Sequence, residues 1–311
     1  AKNQDAIKRT KLKIEENKGK FPMASIPIEG SPERHERINN SIEELLNKGD
    51  LVQLLLAIAG YGVFSKSEDL KNQAVESAKK QTLVNLMTIQ TSDKFGNTVR
   101  VYRTEEEKTI YHLFNSMNIS SQLSIQVIGS LLSGAIRRDI LHYGHFEEIL
   151  NISWLAKEIE WFNGGNTQKV KTLDAVLPGV RSFINELTSA IKVEGYQPDF
   201  TCCTDSMTIK IEYILRHLCK HLKKPTFKFV FEGDTMLADE KPMSGLLIEL
   251  EDFLREDDIL WIKFLMNEKG GFNFRNRVCH GLVDGNEYGY TNALFAFVII
   301  LRLSHYNLDE E

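Results

Sequence analysis

Apolar residues recur along most of this chain every three or four positions, the spacing of one helix face after another. Ile38, Ile42, Leu45 and Leu46 share a face of a segment opening near Pro32, a residue suited to a first helical turn. Gly49-Asp50 interrupts it, and Leu51–Ala59 continues as an apolar run. Ser67–Gln90 is expected as one amphipathic helix through Leu70, Ala74, Ala78 and Leu86. The period then changes, and Phe95-Gly96-Asn97 followed by Val99 and Val101 predicts a turn and a short strand. Thr104 with Glu107 has the capping-box pattern ahead of Ile110, Leu113 and Phe114. Further helical segments are expected over Ile125–Arg138 and Phe146–Trp161.

Asn163-Gly164-Gly165-Asn166 is the clearest break in the pattern, and a subdomain boundary is expected there. Beyond it, Leu173, Val176, Val180, Phe183, Ile184, Leu187 and Ile191 trace a helix that Pro178 would kink or start. Met207, Ile211, Ile214, Leu215, Leu218 and Leu222 trace the next, closed by Lys223-Lys224-Pro225. Phe227, Phe229 and Phe231 alternate with Lys228 and Val230 as a short strand or hairpin would. Helices are expected again around Leu246–Phe253 and Ile259–Met266. The final one, Thr291–Ser304, is apolar nearly all round and should be buried. The chain therefore reads as mainly all-α with short β excursions. Its expected parts are an N-terminal helical region over residues 1–165, with a regulatory role, and a C-terminal helical domain over residues 166–311.

Hydrophobic residues make up 42% of the 311, enough to bury a sizeable core. A net charge of −5 argues against a nucleic-acid binder that works through bulk electrostatics, so any RNA contact must be local. Cys202, Cys203, Cys219 and Cys279 form no secreted-type framework, which points to a reducing cytoplasm. Ala1–Asn17 is polar and charged, unlike a signal peptide, and an opening Ala1 in place of Met suits a trimmed or partial chain. Ala293–Leu301 is far shorter than the roughly 20 apolar residues of a membrane helix, so no membrane association is expected.

The most specific chemistry is in Arg275-Asn276-Arg277-Val278-Cys279-His280-Gly281. An always-charged guanidinium stands five residues before a group that titrates near neutrality. On a straight helix the two lie roughly 140° apart, so they would flank a groove or meet across a two-fold interface. Metal-free RNA cleavage needs a 2′-hydroxyl deprotonated, charge on phosphorus stabilised and a 5′-oxygen protonated. His280 suits the proton transfers, and Arg275 can donate to two nonbridging oxygens. Asn276 can orient the histidine or bond a phosphate oxygen, and Gly281 permits a left-handed turn. Arg277 offers a second phosphate contact, or is a solvated surface arginine.

The Arg-Asn-x-x-x-His-Gly string resembles the signature of the HEPN superfamily, many of whose members are metal-independent ribonucleases. Ile211-Glu212-Tyr213-Ile214-Leu215-Arg216 and Leu246-Leu247 with Leu250-Glu251 resemble the first and second helices of one family of largely uncharacterised bacterial HEPN proteins. Asn273-Phe274-Arg275-Asn276 and Gly281-Leu282 resemble that family's wording on either side of the motif. The resemblance covers about residues 170–308. It implies a helical bundle, cleavage of RNA to a 2′,3′-cyclic phosphate, no cofactor, a homodimer through the C-terminal domain, and a toxin or antiphage role with a regulatory protein partner. Arg275, Asn276 and His280 would be catalytic, with Glu212, Arg216 and Gly281 supporting. The Phe227–Pro242 excursion and residues 1–165 depart from a plain HEPN domain. A non-catalytic dimerisation or nucleotide-binding module is the alternative, which the acidic balance favours. Glu212 and Arg216, four apart, also suit a plain helix-surface ion pair.

Other groupings carry less. His217 and His221 around Cys219 have a metal-compatible spacing, but no glutamate sits beside His217, and Cys202-Cys203 are adjacent, so no metal is expected. His142 and His145 suit a helix cap, and Arg137-Arg138 either touch RNA or end a helix against its dipole. Glu105-Glu106-Glu107 reads as a solvated first turn. No phosphate-binding loop, dinucleotide fingerprint or nucleophile elbow is present.

Overall fold

The computed structural model describes residues 32–81, 86–92, 97–163, 165–233 and 235–308, and its architecture is mainly α-helical. Helices α1 (Pro32–Lys48), α2 (Leu51–Ile58) and α3 (Ser67–Lys80) are followed by the hairpin β1 (Ile89–Ser92) and β2 (Thr98–Tyr102). The long α4 (Glu105–Arg137) and α5 (Tyr143–Ile152) lead into a second hairpin, β3 (Glu158–Asn163) and β4 (Asn166–Lys171). Then come α6 (Thr172–Lys192), α7 (Thr201–His221) and a third hairpin, β5 (Phe227–Glu232) and β6 (Thr235–Glu240). Helices α8 (Met243–Glu249), α9 (Glu256–Ile262, continuing as a π turn over Lys263–Asn267), α10 (Phe274–Cys279) and α11 (Tyr290–Ser304) complete the order. Each hairpin is an isolated antiparallel pair.

Local rules account for many of the boundaries. Thr104 Oγ accepts from the Glu107 amide at 3.2 Å and Glu107 accepts from the Thr104 amide at 3.1 Å, closing the expected capping box. The helix it starts runs unbroken for 33 residues, so the two segments expected over Ile110–Phe114 and Ile125–Arg138 are one. The helix expected over Ser67–Gln90 ends at Lys80, and Ile89–Ser92 instead pairs with Thr98–Tyr102, where β-branched residues suit a strand. The Phe95-Gly96 turn lies outside the described residues, as does Ala1–Asn17. The segment expected to be helical through Trp161 stops at Ile152, and Trp161 lies on β3 opposite Gln168. Helix α6 begins at Thr172, so Pro178 sits inside it and removes one donor from its ladder without starting it.

Asn163 and Asn166 face each other at the tip of the second hairpin, where the boundary between residues 1–165 and 166–311 was expected. Buried residues on both sides of that tip form one core, from Ile42 and Leu46 through Met117 and Phe146 to Phe183, Leu215 and Phe297. Helix α11 runs through it, buried from Ala293 to Leu301, and Trp154 Nε1 donates to the Leu303 carbonyl at 2.7 Å. Polar contacts cross the same divide. Ser67 N donates to Asp257 at 2.6 Å, and Arg255 donates to Tyr61 Oη at 2.7 Å while pairing with the buried Asp258, which also holds Arg302. By length and composition α4 could cross a membrane, though half of its apolar window is buried inside the protein.

His217 lies in the core, fully buried, with Nδ1 and Thr172 Oγ1 2.9 Å apart and Trp161 and Tyr213 against its ring. Burial, with Lys220 second, pushes its pKa down from 6.5 to about 3. His221 packs against Trp154 and is shifted in the same direction by burial. The folded chain keeps His217 neutral at a pH where the unfolded chain protonates it, so its contribution to stability is lost as pH falls from 6.5 toward about 3. We predict that the unfolding midpoint drops across that acid range. His217→Gln should flatten the drop, and an unchanged slope in the variant would refute the assignment.

Candidate functional site

The motif occupies α10, a short helix set between the π turn after α9 and the polypeptide leading into α11. Asn273 precedes it in the left-handed region with φ 49°, a conformation asparagine tolerates better than most residues. Phe274 and Val278, four apart, are buried and fix the helix to the core. The helix ends in a Schellman turn: Gly281 N donates to the Val278 carbonyl at 3.1 Å and Leu282 N to the Arg277 carbonyl at 2.8 Å. Gly281 takes φ 65° there, so its place in the motif is explained by helix termination.

Arg275 points toward α7. Its Nη2 lies 2.5 Å from Glu212 Oε2, off the line of an N–H bond, so the contact is an ion pair without a hydrogen bond. Its Nη1 donates to Asn276 Oδ1 at 3.0 Å, and its Nε is buried without an acceptor among the described residues. Asn276 in turn donates to Asn273 Oδ1 at 2.7 Å, so its side chain positions Arg275 and not His280. His280 is the C-terminal cap of α10. It is exposed, and its ring bonds to no described residue.

Glu212 faces a second arginine. Its Oε1 accepts from Arg216 Nη2 at 3.2 Å, and both side chains are mostly buried, at 15% and 16% exposure. The pair expected as a helix-surface contact is thus drawn inside, next to the motif. Arg216 continues to the base of the β5–β6 hairpin, donating to the Thr226 carbonyl at 3.1 Å and the Lys241 carbonyl at 2.7 Å, and pairing with Glu240. One chain of charges therefore links the motif helix, α7 and the third hairpin. On that hairpin Phe229 and Phe231 are exposed.

Arg277, expected as a phosphate contact or a solvated arginine, pairs with Glu287 in the turn before α11. Glu287 did not figure in the sequence reading; it lies ten residues beyond Arg277, across a turn whose path the pattern does not give. The Thr204-Thr208-Glu212 series was also missed, although its i,i+4 spacing places three polar residues on one face of α7, where Thr204 and Thr208 are buried. The Thr204 and Thr208 hydroxyls and one Asp205 oxygen are buried without hydrogen-bond partners among the described residues. Tyr288 stands beside Asp205, and burial, then that carboxylate, raises its pKa.

The remaining candidates have structural roles. His142 Nδ1 accepts from Gly144 N at 3.1 Å and His145 Nδ1 from His142 N at 3.3 Å, so these two histidines cap α5. Cys203 and Cys219 are buried, and burial raises their thiols to about 12 and about 11, far from a reactive thiolate. Among the described residues no group of three or more His, Cys, Asp or Glu side chains is placed to hold a metal ion. No family model matches the chain, and comparisons with curated proteins and with solved structures gave no match either.

Glu212→Leu takes the shared carboxylate from two arginines and should cost about 3 kcal/mol in urea unfolding, whereas Arg275→Leu leaves Glu212 paired with Arg216 and should cost less. The double variant should cost clearly less than the sum. Additivity within about 0.5 kcal/mol would show that the two residues do not interact.

Proposed function

We propose that the chain is a metal-independent endoribonuclease of HEPN type, cutting RNA by attack of its own 2′-hydroxyl. The observation that supports this best is the division of labour within the motif. Glu212 and Asn276 hold Arg275 in place, and its buried Nε–H has no acceptor among the described residues, while His280 caps the same short helix with its ring in solvent and bonded to no described residue. In this reading His280 removes and returns protons, Arg275 takes the charge on the phosphate, and Asn276 sets the guanidinium. Glu212, Arg216 and Gly281 support them, and Arg277 lies beside the phosphate path. The two key side chains leave α10 in different directions, so the reading includes a homodimer in which two motifs face one cleft. A cytoplasmic toxin or antiphage effector, governed by a protein partner or by the N-terminal helices, is the biological setting it implies.

One observation favours a second reading. Glu212 already satisfies the charge of Arg275, as expected of a HEPN-like domain retained for dimerisation or nucleotide binding.

RNA cleavage in the presence of a chelator separates the two. A nuclease should lose about 10²–10⁴-fold in rate with His280→Ala and about 10²–10³-fold with Arg275→Ala, the ranges for a lost general acid–base and a lost charge-stabilising donor. Equal rates in wild type and both variants would remove the catalytic claim.

A further inference from the structure

On α4, Gln126, Ser130, Ser133 and Arg137 fall within about 60° of one another around the helix axis, a polar stripe on a helix that otherwise feeds the core. The stripe is the floor of an open cavity of about 780 Å³ between α1, α4 and the start of α11. That size lies within the range of small-molecule sites.

Two glycines beside the stripe set its walls. A Cβ on Gly129 would lie 3.2 Å from Tyr290 Oη, and one on Gly134 would lie 2.7 Å from Leu46 Cδ1. Their absence lets the first turn of α11 approach on one side and α1 on the other, leaving the polar stripe open between them. The cations differ in state. Arg138 is held by Asn47 at 2.9 Å and Glu43 at 2.6 Å, whereas Arg137 is exposed and pairs with no described residue. Among the described residues, the lining thus offers one uncommitted guanidinium above a row of hydroxyl and amide groups.

We propose that this cavity binds a small phosphorylated organic molecule, with Arg137 gripping the phosphate and the stripe from Gln126 to Ser133 bonding its polar body. A planar guanidinium donates two parallel bonds to a phosphate, and the hydroxyls and the amide can donate or accept toward a sugar or base edge. The cavity includes Tyr290 and Thr291, the first residues of α11, and the turn just before them carries Glu287, the partner of Arg277. An occupant would therefore lie against the residues that follow that turn, and no motif residue lines the cavity. The proposal stands independently of the nuclease reading.

Calorimetric titration of the full chain with adenosine 5′-monophosphate, adenosine and inorganic phosphate tests it. Saturable binding of the monophosphate is expected, weakened about tenfold or more by Arg137→Ala, in line with the loss of a hydrogen bond between charged groups. Ser130→Trp, at an exposed position, should block it by filling the groove. His280→Ala should leave binding intact, which separates this cavity from the motif. Four results would overturn the proposal: no binding by the wild type, equal affinity in wild type and Arg137→Ala, adenosine binding as tightly as the monophosphate, or inorganic phosphate doing so.

Discussion

A carboxylate largely withdrawn from water must be matched by positive charge, and Glu212 is matched twice, by Arg216 one helical turn along α7 and by Arg275 on α10. That shared carboxylate fixes the placement of the motif. It holds α10 against α7, orients the guanidinium proposed to meet phosphate, and through Arg216 ties both to the base of the β5–β6 hairpin. With Phe274 and Val278 buried beneath it, α10 has little freedom to turn Arg275 elsewhere. The motif is a fixed feature of the core surface, and at its end the side chains of Cys279 and His280 are exposed to solvent.

How much of this was legible varies with the range of the interaction. The Thr104–Glu107 capping box, the helix carrying Ile211 and Leu215, the alternation at Phe227–Phe231 and the buried last helix are local patterns, and each is present. The errors fall where local patterns are ambiguous. Apolar spacing carried the helix from Ser67 past Lys80, although β-branched Ile89 and Thr91 pair with β2. It carried another through Trp161, which the β3–β4 ladder claims. At the expected boundary Asn163 and Asn166 are paired across β3 and β4, and buried residues on both sides share one core.

The site divides in the same way. Arg275, Asn276 and His280 could be named from the string, and Glu212 with Arg216 from their spacing. Their joining could not be read, because Glu212 and Arg275 are far apart in sequence and meet only when α10 folds back on α7. The partner of Arg277 was hidden for the same reason. Gly281 shows the reverse: its place in the motif suggests chemistry, and its left-handed backbone shows that it ends a helix.

The central claim is that this arginine and histidine break RNA without a metal, using the substrate's own 2′-hydroxyl. The most direct measurement is the chemistry of the new ends when the purified chain cleaves a defined RNA in the presence of a chelator. The account predicts 2′,3′-cyclic phosphate and 5′-hydroxyl termini. Termini carrying 3′-hydroxyl and 5′-phosphate, or no cleavage until a divalent ion is added, would contradict it.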